Sequence, residues 1–225
     1  MPLTELIAPL LDELDIPLRT VNLNGTLADE EETPSIFRQA PSPEVDAAWN
    51  RFSMVGFHVI SSADVIKIGK DPSKTVRAPL DWGYGVDAHL AQLDVFHQIH
   101  CLNVLRRHMY PAYYTEDWSI LNDLHPMHCL HMLLQNLMCE ASVDMITSVW
   151  METQKHPYPD MSINRQCRDF EAVLEWNQEN KVPGMEKKMK VIQMPGGAVP
   201  LPLSPQLRKL IEADDTKQRG KSGGD

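Results

Sequence analysis

The chain has 225 residues, with 21 Lys and Arg against 31 Asp and Glu, a formal net charge of −10 with His neutral. That balance argues against a nucleic-acid binder, which needs a basic face to displace counterions. A hydrophobic content of 43% with 23% charged residues argues against wholesale disorder, and no run of ~18 apolar residues is present to span a membrane.

The acid is concentrated at the start. Residues 1–50 hold ten acidic and two basic residues, −8 of the total of −10. Residues 1–41, with Pro2, Pro9, Pro17 and Pro34, read as an acidic N-terminal arm, solvated or laid over the domain surface. The first residues lack the basic region and long apolar run of a signal peptide, which taken alone suggests a soluble, cytoplasmic chain or one trimmed of its leader. Two features pull toward a secretory compartment. Asn24-Gly25-Thr26 matches the N-glycosylation pattern. The cysteines, Cys101, Cys129, Cys139 and Cys167, are even in number. Four cysteines allow three pairings, and spacing does not choose among them.

A helical domain is expected over residues 42–182. Ser42, Pro43, Glu44 and Asp46 give its first helix a cap, a first-turn proline and first-turn acids. Residues 53–70 alternate in places and suggest a short strand or hairpin. From Val86 to Met109 apolar residues fall on most sides, which predicts a buried helix stopped before Pro111. A loop over 112–124 carries Tyr113, Tyr114 and Trp118, aromatics that suit packing or the lining of a pocket. A second long helix is expected to begin near His125, because Pro126 is tolerated in a first turn, and to run toward Met151. A shorter one is expected over Gln166–Trp176. Residues 183–225 read as a mostly disordered C-terminal tail, with one or two helical turns in 207–213. The fold class is mainly α: a compact helical domain built on two facing helices, with a short β element and extended arms.

Those two helices carry the chemistry. His97-Gln98-Ile99-His100-Cys101 and His125-Pro126-Met127-His128-Cys129 are the same HxxHC pattern, twenty-eight residues apart. On a helix, positions i, i+3 and i+4 share a face. A loop of about a dozen residues suits an antiparallel pair, so the two helices offer four imidazoles to one ion. His108 lies about 16 Å along the axis from His97, and His131 points about 120° away from the face that His128 shares with its partners, so both are poor candidates for the set. Four imidazoles in an apolar core cost several kcal/mol unless something satisfies them. A metal does so, and imidazole suits Zn, Cu, Fe and Ni. Structural zinc completed by Cys101 and Cys129 competes with an open catalytic site, although the spacing is not that of a zinc finger. The cysteine after each histidine pair also suits a disulfide stapling the helices.

At these residues the chain resembles the fungal UstYa-type family of mycotoxin-biosynthesis oxidases, whose hallmark is two HxxHC motifs. The matching segments are Asp94 to Asn103 with Arg106, and His125 to Leu130 followed by Gln135 and Cys139. Pro41 to Trp49, Asn22 to Thr26 and Cys167 to Phe170 are also similar to the family, so the resemblance covers about residues 22–176. It implies an oxidoreductase of secondary metabolism acting by oxidative cyclisation, hydroxylation or chlorination, with copper as cofactor and zinc as the alternative. It implies His97, His100, His125 and His128 as metal ligands and catalytic residues. It makes Cys139 and Cys167 the disulfide partners of Cys101 and Cys129 in some pairing, and Asn24 a glycosylation site. The partners implied are a small-molecule or peptide substrate and O2, with room for a homo- or hetero-oligomer with a related family member. The family suggests a secretory-pathway lumen and usually has a membrane span before the domain, which this sequence does not show. It also tends to an acidic residue and an arginine after the second motif, where this chain has His131 and Leu134.

Two rivals belong to other classes. One is a non-catalytic helical protein with a structural zinc site, favoured by a closed ligand shell. The other is a metal-free enzyme whose imidazoles act as acid and base, although that chemistry gives no reason for four of them.

Overall fold

The computed structural model describes residues 8–24, 35–54, 56–115, 120–149, 152, 155–160, 162–205 and 207–212. The helices are α1 (Leu10–Glu13), α2 (Pro43–Ser53), α3 (Ser62–Lys67), α4 (Asp94–His108), α5 (Ile120–Glu140), α6 (Phe170–Asn180) and α7 (Met185–Val191). The strands are β1 (Leu18–Asn22), β2 (Phe57–Ile60), β3 (His89–Gln92), β4 (Thr147–Val149), β5 (Tyr158–Asp160) and β6 (Asn164–Arg168). They pair antiparallel in three ribbons, β1 with β6, β2 with β3 and β4 with β5. The architecture is mainly helical with small sheets.

The first helix forms as its residues require. The Ser42 hydroxyl accepts from the Val45 amide at 3.2 Å, and Pro43 opens the helix. In α3, Ser61 and Asp64 make a reciprocal capping box. Helix α4 starts with Asp94, which accepts from Gln98 at 2.6 Å, and ends with Arg106, Arg107 and His108. Those charges complement the helix dipole.

Several boundaries differ from the sequence-based expectation. The helix expected from Val86 begins at Asp94, because His89–Gln92 pairs with β2 instead. The second long helix already includes Ile120, so Pro126 lies inside it, and it ends at Glu140 rather than near Met151. The segment from Gln166 is strand until Arg168, held by β1, and the helix follows from Phe170. Residues 207–212 are helical, as expected for that stretch.

The core lies where α1, α4 and α6 meet. Ile16, Phe96, Val173 and Leu174 are buried together, with Leu10, Leu11, Leu14, Phe52, Leu93 and Phe170 packed around them. The N-terminal segment thus contributes core residues and a strand, although β1 itself is exposed. Helix α7 lies within the segment read as a tail and buries no residue. None of the described helices is long and apolar enough to cross a membrane.

Candidate metal centre

Helix α4 has two working faces. Phe96 and Asn103 are buried on one. Asn103 donates to the Ser53 hydroxyl at 3.0 Å, and Arg106 pairs with Asp46 at 2.6 Å, which fixes α4 on α2. The Arg106 guanidinium stands 5.2 Å from the Trp49 ring centroid and 5.3 Å from that of Tyr114. The other face carries His97, His100 and Cys101 toward α5.

Helix α5 answers with His125, His128 and Cys129. The four imidazole rings form a closed circuit. Ring centroids are 6.3 Å apart for His97–His100, 5.7 Å for His100–His125, 6.4 Å for His125–His128 and 6.2 Å for His128–His97. Two sides of the circuit are i, i+3 pairs within a helix, and two cross between helices. His128 is exposed and the other three are half-buried.

The donor set suits a borderline transition metal, since four neutral imidazoles are what copper or zinc takes. The spacing is slightly open. Rings bound to one ion through metal–nitrogen bonds of ~2.0–2.1 Å have centroids roughly 4.5–5.2 Å apart. As placed, no group of three or more His, Cys, Asp or Glu side chains among the described residues is tight enough to hold an ion. An inward shift of about 1 Å per neighbouring pair, within the reach of imidazole rotamer adjustment, closes the difference.

The electrostatics favour ligands over acids. Burial, then the neighbouring His125, His97 and Arg107, lowers the pKa of His100. Burial, then His128, His97 and His108, lowers that of His125. A lowered histidine pKa keeps the imidazole neutral and its lone pair free.

Both motif cysteines are fully buried beneath the rings. Cys101 Sγ lies 3.8 Å from His97 Nε2. Burial, with the Cys101 thiol hydrogen-bonded beside it, pushes the Cys129 thiol up to about 12. All four cysteines stand as free thiols, Cys139 exposed and Cys167 half-buried in β6. The structure therefore sets Cys101 against Cys129 and joins neither to Cys139 or Cys167.

The remaining candidates fall elsewhere. Tyr114 is buried and donates to Asp46, so it packs behind α4 rather than lining a pocket. Tyr113 stands edge-on to it at 4.9 Å, and Trp118 lies outside the described residues. Asn24 is exposed just past β1, while Gly25 and Thr26 lie outside the described residues. His131 is exposed beside Gln135, and His108 Nδ1 faces the Val104 carbonyl at 3.1 Å. An apolar cleft of about 300 Å³ sits at the junction of α1, α4 and α6, lined by Leu10, Leu11, Ile16, Leu93, Val95 and Phe170 among others, with none of the four histidines.

Sequence reasoning missed two buried histidines. His58 Nε2 donates to Asn177 Oδ1 at 2.8 Å, and its ring lies 4.7 Å from that of Trp176. His89 is held between the hydroxyls of Thr75, at 2.6 Å, and Ser62, at 3.0 Å. They face each other's strands in the β2–β3 ribbon, and only that pairing reveals them as core residues.

Comparison with known proteins gives the chain's family. A family described as "Mycotoxin biosynthesis protein UstYa" matches residues 2–180. The "UstYa family oxidase aprY" of Aspergillus flavus is 44% identical over 186 residues, 78% of this chain and 55% of the relative. The "UstYa family oxidase phomYc" of Diaporthe leptostromiformis is 28% identical over 188 residues, 79% of this chain and 70% of that protein. The "Chlorinase cctP2" of Talaromyces islandicus is 27% identical over 171 residues, 74% of this chain and 47% of the chlorinase. The chain thus spans about half the length of the Aspergillus relative. No solved structure matches. With a match over nearly its whole length, the chain belongs to the UstYa family.

Proposed function

We propose that this chain is a copper-dependent oxidase that tailors a small fungal metabolite or peptide by oxidative cyclisation, hydroxylation or chlorination. The observation that carries the reading is the closed circuit of four imidazoles across α4 and α5. The names of the relatives, oxidases and one chlorinase, give the reaction class.

His97, His100, His125 and His128 are the residues that would hold the metal. Bound copper supplies one-electron oxidising chemistry with O2 at a site that keeps an open position. The chain's own contribution is to keep the imidazoles neutral and in register. Burial, with the neighbouring groups, lowers the pKa of His100 and His125 and so favours the neutral imidazole. The buried Cys101 and Cys129 pack the two helices together directly under the rings. The α2 contacts fix the opposite side of α4, so the histidine face cannot roll. Exposed His128 marks the side from which a substrate reaches the centre.

The test loads the purified chain with copper in air, with chloride and an electron donor present, and supplies candidate peptides and small phenols. Oxygen uptake should accompany a product whose mass reports loss of two hydrogens, gain of one oxygen, or replacement of hydrogen by chlorine. The His97→Ala and His128→Ala variants should show neither. Tight zinc that copper does not displace would instead favour a structural site.

A further inference from the structure

Helix α5 turns His125, His128 and Cys129 toward α4 and carries an apolar stripe on the side facing away from it. Leu124, Met127, Leu130, Leu134, Leu137 and Met138 are 40–69% exposed on one continuous stripe. Cys129, in contrast, is fully buried against α4. Met127, Leu130, Leu134 and Leu137 follow one another at intervals of three, four and three residues. That is the seam spacing of packed helix pairs. A contiguous exposed apolar patch of this kind marks an interaction surface.

We propose that this outer face of α5 is where two copies of the chain meet, helix against helix. Three observations favour a second copy. The spacing is self-complementary, as a two-fold interface requires. No charged residue occurs from Leu124 to Cys139, so two copies of a chain with net charge −10 meet there without placing like charges face to face. The six side chains together expose on the order of 700 Å², close to the ~800 Å² that each partner gives to a standard interface. A lipid surface fits less well, because helices that lie on membranes carry Lys and Arg on the polar face and this stretch has none. The proposal does not depend on the identity of the metal or on the oxidase reading.

The test is sedimentation of the full chain across a dilution series. The result expected is a species of twice 25.6 kDa that dissociates on dilution. Leu134→Glu should raise the dimer dissociation constant at least about a hundredfold by burying an unpaired charge. Leu134→Gln, a milder change that keeps helix propensity, should raise it about tenfold with the parent's circular dichroism and melting midpoint. Leu102→Glu, on an exposed position of α4, should leave it unchanged. A monomer at every concentration would overturn the proposal. So would a dimer indifferent to both Leu134 variants, or a monomer that co-sediments with anionic vesicles.

Discussion

Asp46 ties three elements together through one carboxylate. Burial would push its pKa up, but the Tyr114 hydroxyl and the Arg106 and Arg107 guanidinium groups outweigh that and hold it below the ordinary carboxylate range. The stability it contributes is therefore present above the unfolded value of about 3.9 and is lost as pH falls through the lowered value. Asp46→Asn keeps the shape and removes the charge, leaving Arg106 without its counter-ion. It should cost about 1–3 kcal/mol at neutral pH, and the variant's stability should fall less steeply than the parent's below about pH 4. Denaturant unfolding between pH 3 and 7 measures both; identical pH dependence for the two proteins would contradict the assignment. The histidines of the candidate centre were legible in the sequence because their i, i+3 spacing is local and helical. The Asp46–Tyr114 contact was not, because its partners lie 68 residues apart and no local pattern links them.

At the scale of elements, the clearest local signals gave the right structure. Ser42 and Pro43 open α2, and removing the cap with Ser42→Ala should destabilise the protein by about 1 kcal/mol in thermal unfolding. An unchanged midpoint would deny the cap its role. The boundaries that sequence missed share a physical cause. His89–Gln92 and Asn164–Arg168 are strands because β2 and β1 pair with them. β-structure depends on such distant partners more than on intrinsic preference. The Pro126 position misled for the opposite reason: its local rule favours a first turn, yet α5 continues through it, and tertiary packing overrides the rule. The α4–α5 contact also sets thiol chemistry. Cys101 and Cys129 are fully buried while Cys139 is exposed. Thiols that are buried and protonated are poor nucleophiles. In the folded protein, iodoacetamide should modify Cys139 at least about tenfold faster than Cys129, read by peptide mass spectrometry. Equal rates would place Cys129 at the surface.

Over the whole molecule, the helical class and the packing of α4 on α5 were readable because both rest on periodicity. The role of the N-terminal segment was not, since its acidity masks four apolar side chains, Leu10, Leu11, Leu14 and Ile16, that join the core. Ile16→Ala, at a residue 8% exposed against Phe96 and Leu174, should cost about 2–4 kcal/mol. A change under about 0.5 kcal/mol, the range of surface substitutions, would detach the segment from the fold. The same packing determines whether the site holds together, because Phe96 is adjacent in sequence to His97 and anchors the start of α4 in that core.

The proposed function requires that four imidazoles on two helices bind one copper ion. It is tested most directly by metal stoichiometry and electron paramagnetic resonance on the chain loaded with Cu(II). One copper per chain is expected, with hyperfine structure from several equivalent nitrogens. Each of His97→Ala, His100→Ala, His125→Ala and His128→Ala should weaken binding by at least about tenfold and simplify that nitrogen pattern. Copper that binds without nitrogen hyperfine structure, or that all four variants retain with unchanged affinity and spectrum, would contradict it.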